Sequence, residues 1–383
     1  MQHLTAAVVG AGFIGPVHIE ALRRLGVRIA GILPRTPGAG ARHGLSEYRD
    51  LDELLGDATV DVVHLALPNR EHVAYATRCL AAGKHVLCEK PLAMDSAGSA
   101  ELVRLAAASG LEAGVCHNVR SYPLNVELRE RIKRGDLGRI FCVTGSYVQD
   151  WLLHDTDFNW RVLADEGGAL RALADIGTHW LDLMRYITGL EIEAVFAELK
   201  TVHPVRRRPA GGVQTFTDKA ATTVDLIEVP IATDDCACVI LRLTGGVLGS
   251  LHVSQVTAGR KNCIRYEIAG SAGSAAWNSE TPDELWLGHR SDANQVLLRD
   301  PSLLTAAARA VTSYPGGHQE GFPDSFKQCF HGFYEAVAAS KAGCPVTERR
   351  YPTFADGHQE MLLCDALIES HQNHRWATVR SSP

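Results

Sequence analysis

A carboxylate and an imidazole four residues apart, in Asp175-Ile-Gly-Thr-His179, make a pair suited to moving protons near neutral pH. Residues three and four apart stack on one face of a helix. A helix from Asp175 therefore sets Asp175, His179, Asp182 and Tyr186 beside an apolar stripe of Ile176, Trp180, Leu183, Met184 and Ile187. In the oxidation of a secondary alcohol, His179 would take the O–H proton while the C–H leaves as hydride, and Asp175 would orient the ring and stabilise its cation. Lys90, at the end of an apolar run, would add an ammonium that favours an alkoxide-like transition state, or serve as the base itself. Structural roles stay open for both partners of the pair, with Asp175 as a helix cap and His179 as a satisfied helix histidine. A metal held by Asp175 and His179 with His154, Asp155 or Asp157 is disfavoured, because one histidine among carboxylates is a weak ligand set. No metal is expected.

A hydride needs a carrier, and the first stretch of the chain offers a place for one. The apolar run Leu4–Val9 leads into Gly10-Ala-Gly12-Phe-Ile-Gly15, and a helical pattern starts near Val17. Strand, glycine turn and helix in that order predict a dinucleotide site. Gly10 makes the tight turn, Gly12 lets the backbone approach a pyrophosphate, and Gly15 lets the helix sit close on the strand. The N–H groups of Phe13 and Ile14 then lie at the positive end of that helix. Further strands are expected over 27–33, 60–67, 85–88 and 111–116, with helices over 71–82 and 96–109. This is a doubly wound sheet, whose ligands bind beyond the carboxyl ends of the strands. Those ends carry Leu67-Pro68-Asn69-Arg70-Glu71-His72, Glu89-Lys90-Pro91 and His117-Asn118, a crowd of polar groups along one edge. The acid that usually follows the second strand is missing. Arg35-Thr36 stands there instead, where Arg35 can pair a 2′-phosphate or stack on adenine, so NAD and NADP both stay open.

The pattern changes near Ser121. A helix over 124–134 precedes the alternating strand Ile140–Val148, and strands follow over 194–200, 221–229, 236–243, 247–257, 263–269, 274–277 and 284–287. A closing helix is expected over 354–370. The fold class is α/β: an N-terminal Rossmann dinucleotide-binding domain, residues 1–121, plus a C-terminal α+β domain with a large, mostly antiparallel open sheet, residues 122–383. So broad a sheet invites cover by a second subunit. The formal charge is −6 with 21% charged residues, which argues against a nucleic-acid partner. Arg206-Arg207-Arg208, between Pro204 and Pro209, reads as a solvated loop or a partner contact. No run reaches the length of a membrane span, and the ten scattered cysteines read as free thiols, so a cytoplasmic location is expected.

The ordered motifs Gly10-Ala-Gly12-Phe-Ile-Gly15, Pro68-Asn69-x-x-His72, Glu89-Lys90-Pro91 and Asp175-x-x-x-His179 resemble the Gfo/Idh/MocA oxidoreductases, and the likeness runs through essentially the whole chain. The resemblance implies a tightly held NAD(P), a Lys90–Asp175–His179 catalytic set, sugar, polyol or cyclitol substrates, and homodimers or homotetramers paired through the sheet. It also places Tyr147, Gln149, Trp160 and His117 near the substrate and Arg161 near the cofactor. A glycoside-cleaving enzyme that oxidises its sugar transiently is the alternative activity on this scaffold. A non-catalytic NAD(P) sensor is a further one, less suited to a chain that carries all three catalytic residues.

Overall fold

The computed structural model describes residues 3–210 and 226–380; the expected strand over 221–229 falls outside it up to residue 225. In chain order, the first part alternates strand and helix: β1 (Thr5–Val9), α1 (Ile14–Arg24), β2 (Arg28–Leu33), α2 (Leu51–Gly56), β3 (Val62–Leu65), α3 (His72–Ala81), β4 (His85–Cys88), α4 (Ser96–Ser109) and β5 (Ala113–Val115). Then come α5 (Pro123–Arg134), β6 (Ile140–Val148), α6 (Ala164–Gly167), α7 (Thr178–Thr188), β7 (Ile192–Lys200), β8 (Val205–Pro209) and β9 (Leu226–Pro230). The meander continues through β10 (Cys236–Leu243), β11 (Val247–Ser254), β12 (Cys263–Gly270), β13 (Ser274–Asn278), β14 (Glu284–Gly288) and β15 (Gln295–Leu298). The chain closes with α8 (Ala306–Ala310), α9 (Phe322–Lys341), α10 (Phe354–Asn373) and β16 (Ala377–Thr378). No described helix is long and apolar enough to cross a membrane.

The first compact unit comprises the chain up to Asn118 together with Phe322–Met361. Its sheet is parallel in the order β2-β1-β3-β4-β5, so the chain winds both ways from β1. Alternation along β1 sends Ala6 and Val8 into one core and Ala7 and Val9 into another, which is why both faces of the sheet need helices. The core with α1 is completed from far down the chain by Phe326, Phe330, Phe333 and Tyr334 of α9. The return is also stitched at the sheet edge: Val115 N–H donates to the Pro352 carbonyl at 2.8 Å, and Arg349 Nε donates to Glu112 Oε2 at 2.8 Å. A division at 121/122 therefore assigns too much to the second domain. Residues 322–361 belong with the first because their aromatic face has its apolar partners there.

The second unit runs from Val119 to Gly321 and resumes at Leu362. Its nine-stranded sheet has the order β15-β14-β13-β12-β6-β11-β10-β7-β16, and every pairing is antiparallel except β6 with β11. One face carries α7, whose Trp180 Nε1 donates to the Arg265 carbonyl at 3.1 Å. Across the opposite face the register aligns Ile240, Ser250, Thr144, Glu267, Ala276, Trp286 and Val296 in one row. Ile240, Leu248 and Val296 stand exposed on that face.

Candidate active site

Within the first unit, the glycine turn sits where the strand order reverses, between β1 and β3. Gly10 has φ +101°, and a Cβ there would stand 2.1 Å from the Ala66 carbonyl oxygen. A Cβ on Gly15 would stand 2.3 Å from the Gly10 oxygen, whereas one on Gly12 would meet nothing within 4 Å. The turn is thus closed on its protein side and open over Gly12, at the N-terminus of α1, where half-exposed Phe13 precedes Ile14. These residues fit a dinucleotide pyrophosphate.

The loop after β3 carries Leu67, Pro68 and Asn69, all partly accessible. His72, expected to meet the cofactor, is buried instead, with Nδ1 2.8 Å from the Pro91 carbonyl oxygen and Nε2 3.0 Å from that of Leu67. Burial holds its proton affinity down. The ring ties two site loops together rather than presenting a face outward. The Lys90–Pro91 peptide is cis. Glu89 likewise faces inward, to His18 of α1 at 3.0 Å. His117 is buried just beyond β5, and the Asn118 amide donates to Ser325 Oγ of α9 at 2.7 Å. Thr36 is exposed, and so is Arg35, whose Nη2 lies 3.3 Å from Glu71 Oε1. An acid does stand beside Arg35; it comes from the loop after β3, not from the end of β2.

In the second unit, Asp175 lies in a π-helical turn, Leu173–Gly177, that runs straight into α7 and puts His179 one turn on, buried. Such turns are frequent at functional sites. The carboxylate of Asp175 is gripped from two sides: Gln255 Nε2 donates to Oδ2 at 2.8 Å, and Arg161 Nε lies 3.4 Å from Oδ1. Arg161 also lies over the Trp160 ring, 4.4 Å from its centroid. Behind Gln255, Arg171 Nη1 donates to its Oε1 at 3.0 Å, and Arg171 pairs with Asp235. Asp235 takes a second guanidinium, that of Arg206, at 2.5 Å. Burial alone would raise the Asp235 carboxyl, but Arg171 and the other donors hold it below its ordinary range. The neighbouring Asp234 is pushed up by burial and accepts the Arg171 and Leu173 N–H groups that enter the π turn.

Tyr147 lies with its ring centroid 6.1 Å from that of His179, and its hydroxyl donates to Asn262 Oδ1 at 2.8 Å. Gln149 Nε2 donates to the same oxygen at 2.7 Å, and Trp151 Nε1 donates to Gln149 Oε1 at 2.9 Å. Tyr147, Gln149, Trp160, Arg161, Asp175 and His179 are thus drawn into one polar neighbourhood. Lys90 belongs to the other unit.

A profile described as the oxidoreductase family with an NAD-binding Rossmann fold matches residues 4–117, and the GFO/IDH/MocA C-terminal domain matches residues 125–276. The chain is a Gfo/Idh/MocA oxidoreductase. It is 31% identical over 402 residues to levoglucosan dehydrogenase of Pseudarthrobacter phenanthrenivorans, covering 99% of each chain. Inositol 2-dehydrogenase 2 of Saccharopolyspora erythraea is 25% identical, over 99% of this chain and 96% of that one. A solved levoglucosan dehydrogenase, in complex with NADH and levoglucosan, superposes with a TM-score of 0.85 at 28% identity, covering 98% of this chain and 99% of the other.

Several residues of this candidate site were not legible as such. Gln255 at the end of β11, Asn262 before β12 and the buried Arg171–Asp235–Arg206 cluster carry no motif. Arg206, read as part of a solvated basic run, is fully buried, because Asp235 and the carbonyls of Leu152, His154 and Asp157 absorb all its donors but Nε. Alternation along β8 was the available signal, since it sets Arg206 opposite Arg207 in facing. The acids once weighed as metal ligands are spent locally: Asp155 pairs with Arg207, and Asp157 accepts the His154 N–H at 2.9 Å.

Proposed function

We propose that this NAD(P)-dependent oxidoreductase oxidises a secondary hydroxyl of a pyranose sugar, glycoside or cyclitol, with Lys90, Asp175 and His179 as its catalytic residues. The observation that carries the reading is the double grip on Asp175 by Gln255 and Arg161, one helical turn before His179. A carboxylate fixed in this way can hold an imidazole in one orientation while the ring takes up a proton. A bound nicotinamide nucleotide supplies the hydride acceptor. His179 then receives the hydroxyl proton on a ring nitrogen, Asp175 stabilises the resulting cation, and the Lys90 ammonium favours the alkoxide-like oxygen. Tyr147, Gln149 and Trp160 offer hydroxyl, amide and ring face to a sugar.

The pairing of Arg35 with Glu71 favours NAD, since a carboxylate beside a 2′-phosphate repels it and occupies the arginine that would hold it. Ten free thiols support a reducing, cytoplasmic setting. The exposed apolar residues of the nine-stranded sheet support a homo-oligomer paired through that face.

The test is a panel of monosaccharides, glycosides, anhydrosugars and inositols with NAD and NADP in turn, read by the absorbance of reduced nicotinamide. Accumulation with NAD and at least one of these substrates is expected. No reduction with any of them would sink the reading, and aglycone release without net reduction would transfer the site to transient oxidation and elimination. His179→Ala should lose roughly 10²–10⁴-fold in kcat with NADH affinity retained; unchanged turnover removes His179 from the chemistry.

A further inference from the structure

Behind Lys90, four buried polar side chains from four separate elements line up inside the first unit. Tyr334 Oη of α9 lies 2.9 Å from His64 Nε2 of β3, His64 Nδ1 lies 3.0 Å from His18 Nδ1 of α1, and His18 Nε2 lies 3.0 Å from Glu89 Oε1. All four are buried, His18, His64 and Tyr334 completely. A protein core does not string ionisable groups together without cost, and unpaired members would be expensive.

The direction of this chain follows from counting donors. Among the described residues the Tyr334 hydroxyl meets one hydrogen-bond partner, His64 Nε2, so it donates there. Burial pushes the proton affinity of His64 well down, so its ring is neutral and its single hydrogen is on Nδ1. His18 accepts that hydrogen at its own Nδ1, which places the His18 hydrogen on Nε2, aimed at Glu89. Every donor points the same way and the last acceptor is a carboxylate. Burial would raise the Glu89 carboxyl, but the hydrogen bond and charge offered by His18, the nearby Lys90 charge and a Cys116 hydrogen bond hold it below its usual range. Glu89 Oε2 also lies 3.4 Å from the Lys90 backbone nitrogen.

We propose that Tyr334, His64 and His18 form a one-way hydrogen-bond relay that keeps Glu89 an anion behind Lys90, making Glu89 a positioning residue for the charge of that lysine during turnover. The proposal rests on the reading of Lys90 as catalytic. Other titratable groups facing Glu89 and its relay are Cys88 on its own strand, Cys116 beyond β5 and His72 at the start of α3. Farther along, Cys329 of α9 faces Cys116, and Asp61 faces Tyr334. Burial keeps the Cys88 and Cys116 thiols protonated, so among these groups Glu89 is the one that carries a negative charge. His18, Glu89 and Cys116 also offer ligand atoms within 4.8 Å of one another, so a metal is the competing occupant.

Nitrogen-15 NMR of the imidazoles in the full-length protein should find the His64 hydrogen on Nδ1 and the His18 hydrogen on Nε2 at neutral pH. The reverse tautomer on either ring, a His18 protonated on both nitrogens, or a stoichiometric metal in the purified protein overturns the relay. Tyr334→Phe, which keeps the ring and removes the donor, should let His64 populate its Nε2–H tautomer; an unchanged His64 tautomer overturns the proposal. Glu89→Gln should displace the pH dependence of kcat toward acid by about one unit, since the Glu89 charge that couples to Lys90 is removed, with NADH affinity unchanged. Superimposable pH profiles overturn the positioning role. Lys90→Ala with undiminished turnover would sink the catalytic reading of that lysine while leaving the tautomers intact, so the two failures are told apart.

Discussion

At the scale of single residues, the site is defined less by its reactive groups than by what restrains them. In the proposed mechanism Asp175 serves His179 only when it is held still, and Gln255 is a neutral donor that holds it without adding charge. Gln255→Leu keeps the volume and removes that donor, so kcat should fall roughly tenfold with little change in NADH affinity, measured by steady-state turnover and cofactor titration. An unaltered kcat would mean that Arg161 suffices. Buried histidines set a second expectation. His64, His72 and His85 all have their proton affinity lowered, by burial first. A ring kept neutral in the fold but free to protonate when unfolded contributes stability above its unfolded pKa of about 6.5 and loses it as pH falls below that value. Urea denaturation should therefore lose stability between about pH 7 and pH 5, and His85→Gln, whose amide oxygen can still accept the Glu112 N–H that His85 Nδ1 accepts at 2.9 Å, should lessen the slope by up to one proton.

At the scale of elements, the parts with one dominant periodicity were readable to the residue. β4, α4, β6 and β10 have the bounds that the alternation or helical spacing predicts. Each of these sequences states its own burial: continuous apolar in β4, alternating in β10. Gly10, Lys90, Asp175 and His179 stood out as candidates for a related reason, since their spacing encodes local geometry. Gln255 and Arg206 were not, because their partners lie across strands and no local pattern encodes a cross-strand carboxylate. The largest omission was α9. Its Phe326, Phe330, Phe333 and Val337 do recur at helical spacing, but Pro323 and Gly332 interrupt the run, and its packing partner α1 lies some 300 residues earlier. Phe330 is wholly buried among His18, His64 and Phe326. Phe330→Ala should cost about 3–5 kcal/mol by denaturant unfolding, because the ring leaves a cavity between α9 and the sheet. A loss below ~1 kcal/mol would mean that the helix is dispensable to that core.

At the scale of the molecule, the open face of the nine-stranded sheet is the surface through which the proposed homo-oligomer would pair. A polar and apolar row crosses seven strands in register, with Ile240, Leu248 and Val296 exposed. Exposed apolar side chains rimmed by polar ones on one sheet face fit an interaction surface. Leu248→Asp sets a charge among the exposed apolar residues of β10 and β11 on that face, so sedimentation should find the proposed oligomer replaced by monomer while the far-ultraviolet spectrum is retained. An unshifted oligomer would place the subunit contact elsewhere.

The return of residues 322–361 to the first unit has a bearing on how the protein is made. A ribosome delivers the glycine turn and all five parallel strands long before the aromatic helix that seals one of their faces. The nascent dinucleotide fold must wait, partly bare, while residues 119–321 of the other unit are synthesised, and it becomes whole only once residues 322–361 have followed. Cofactor capture is therefore a late event in the life of each chain, and an early stop codon destroys both halves at once.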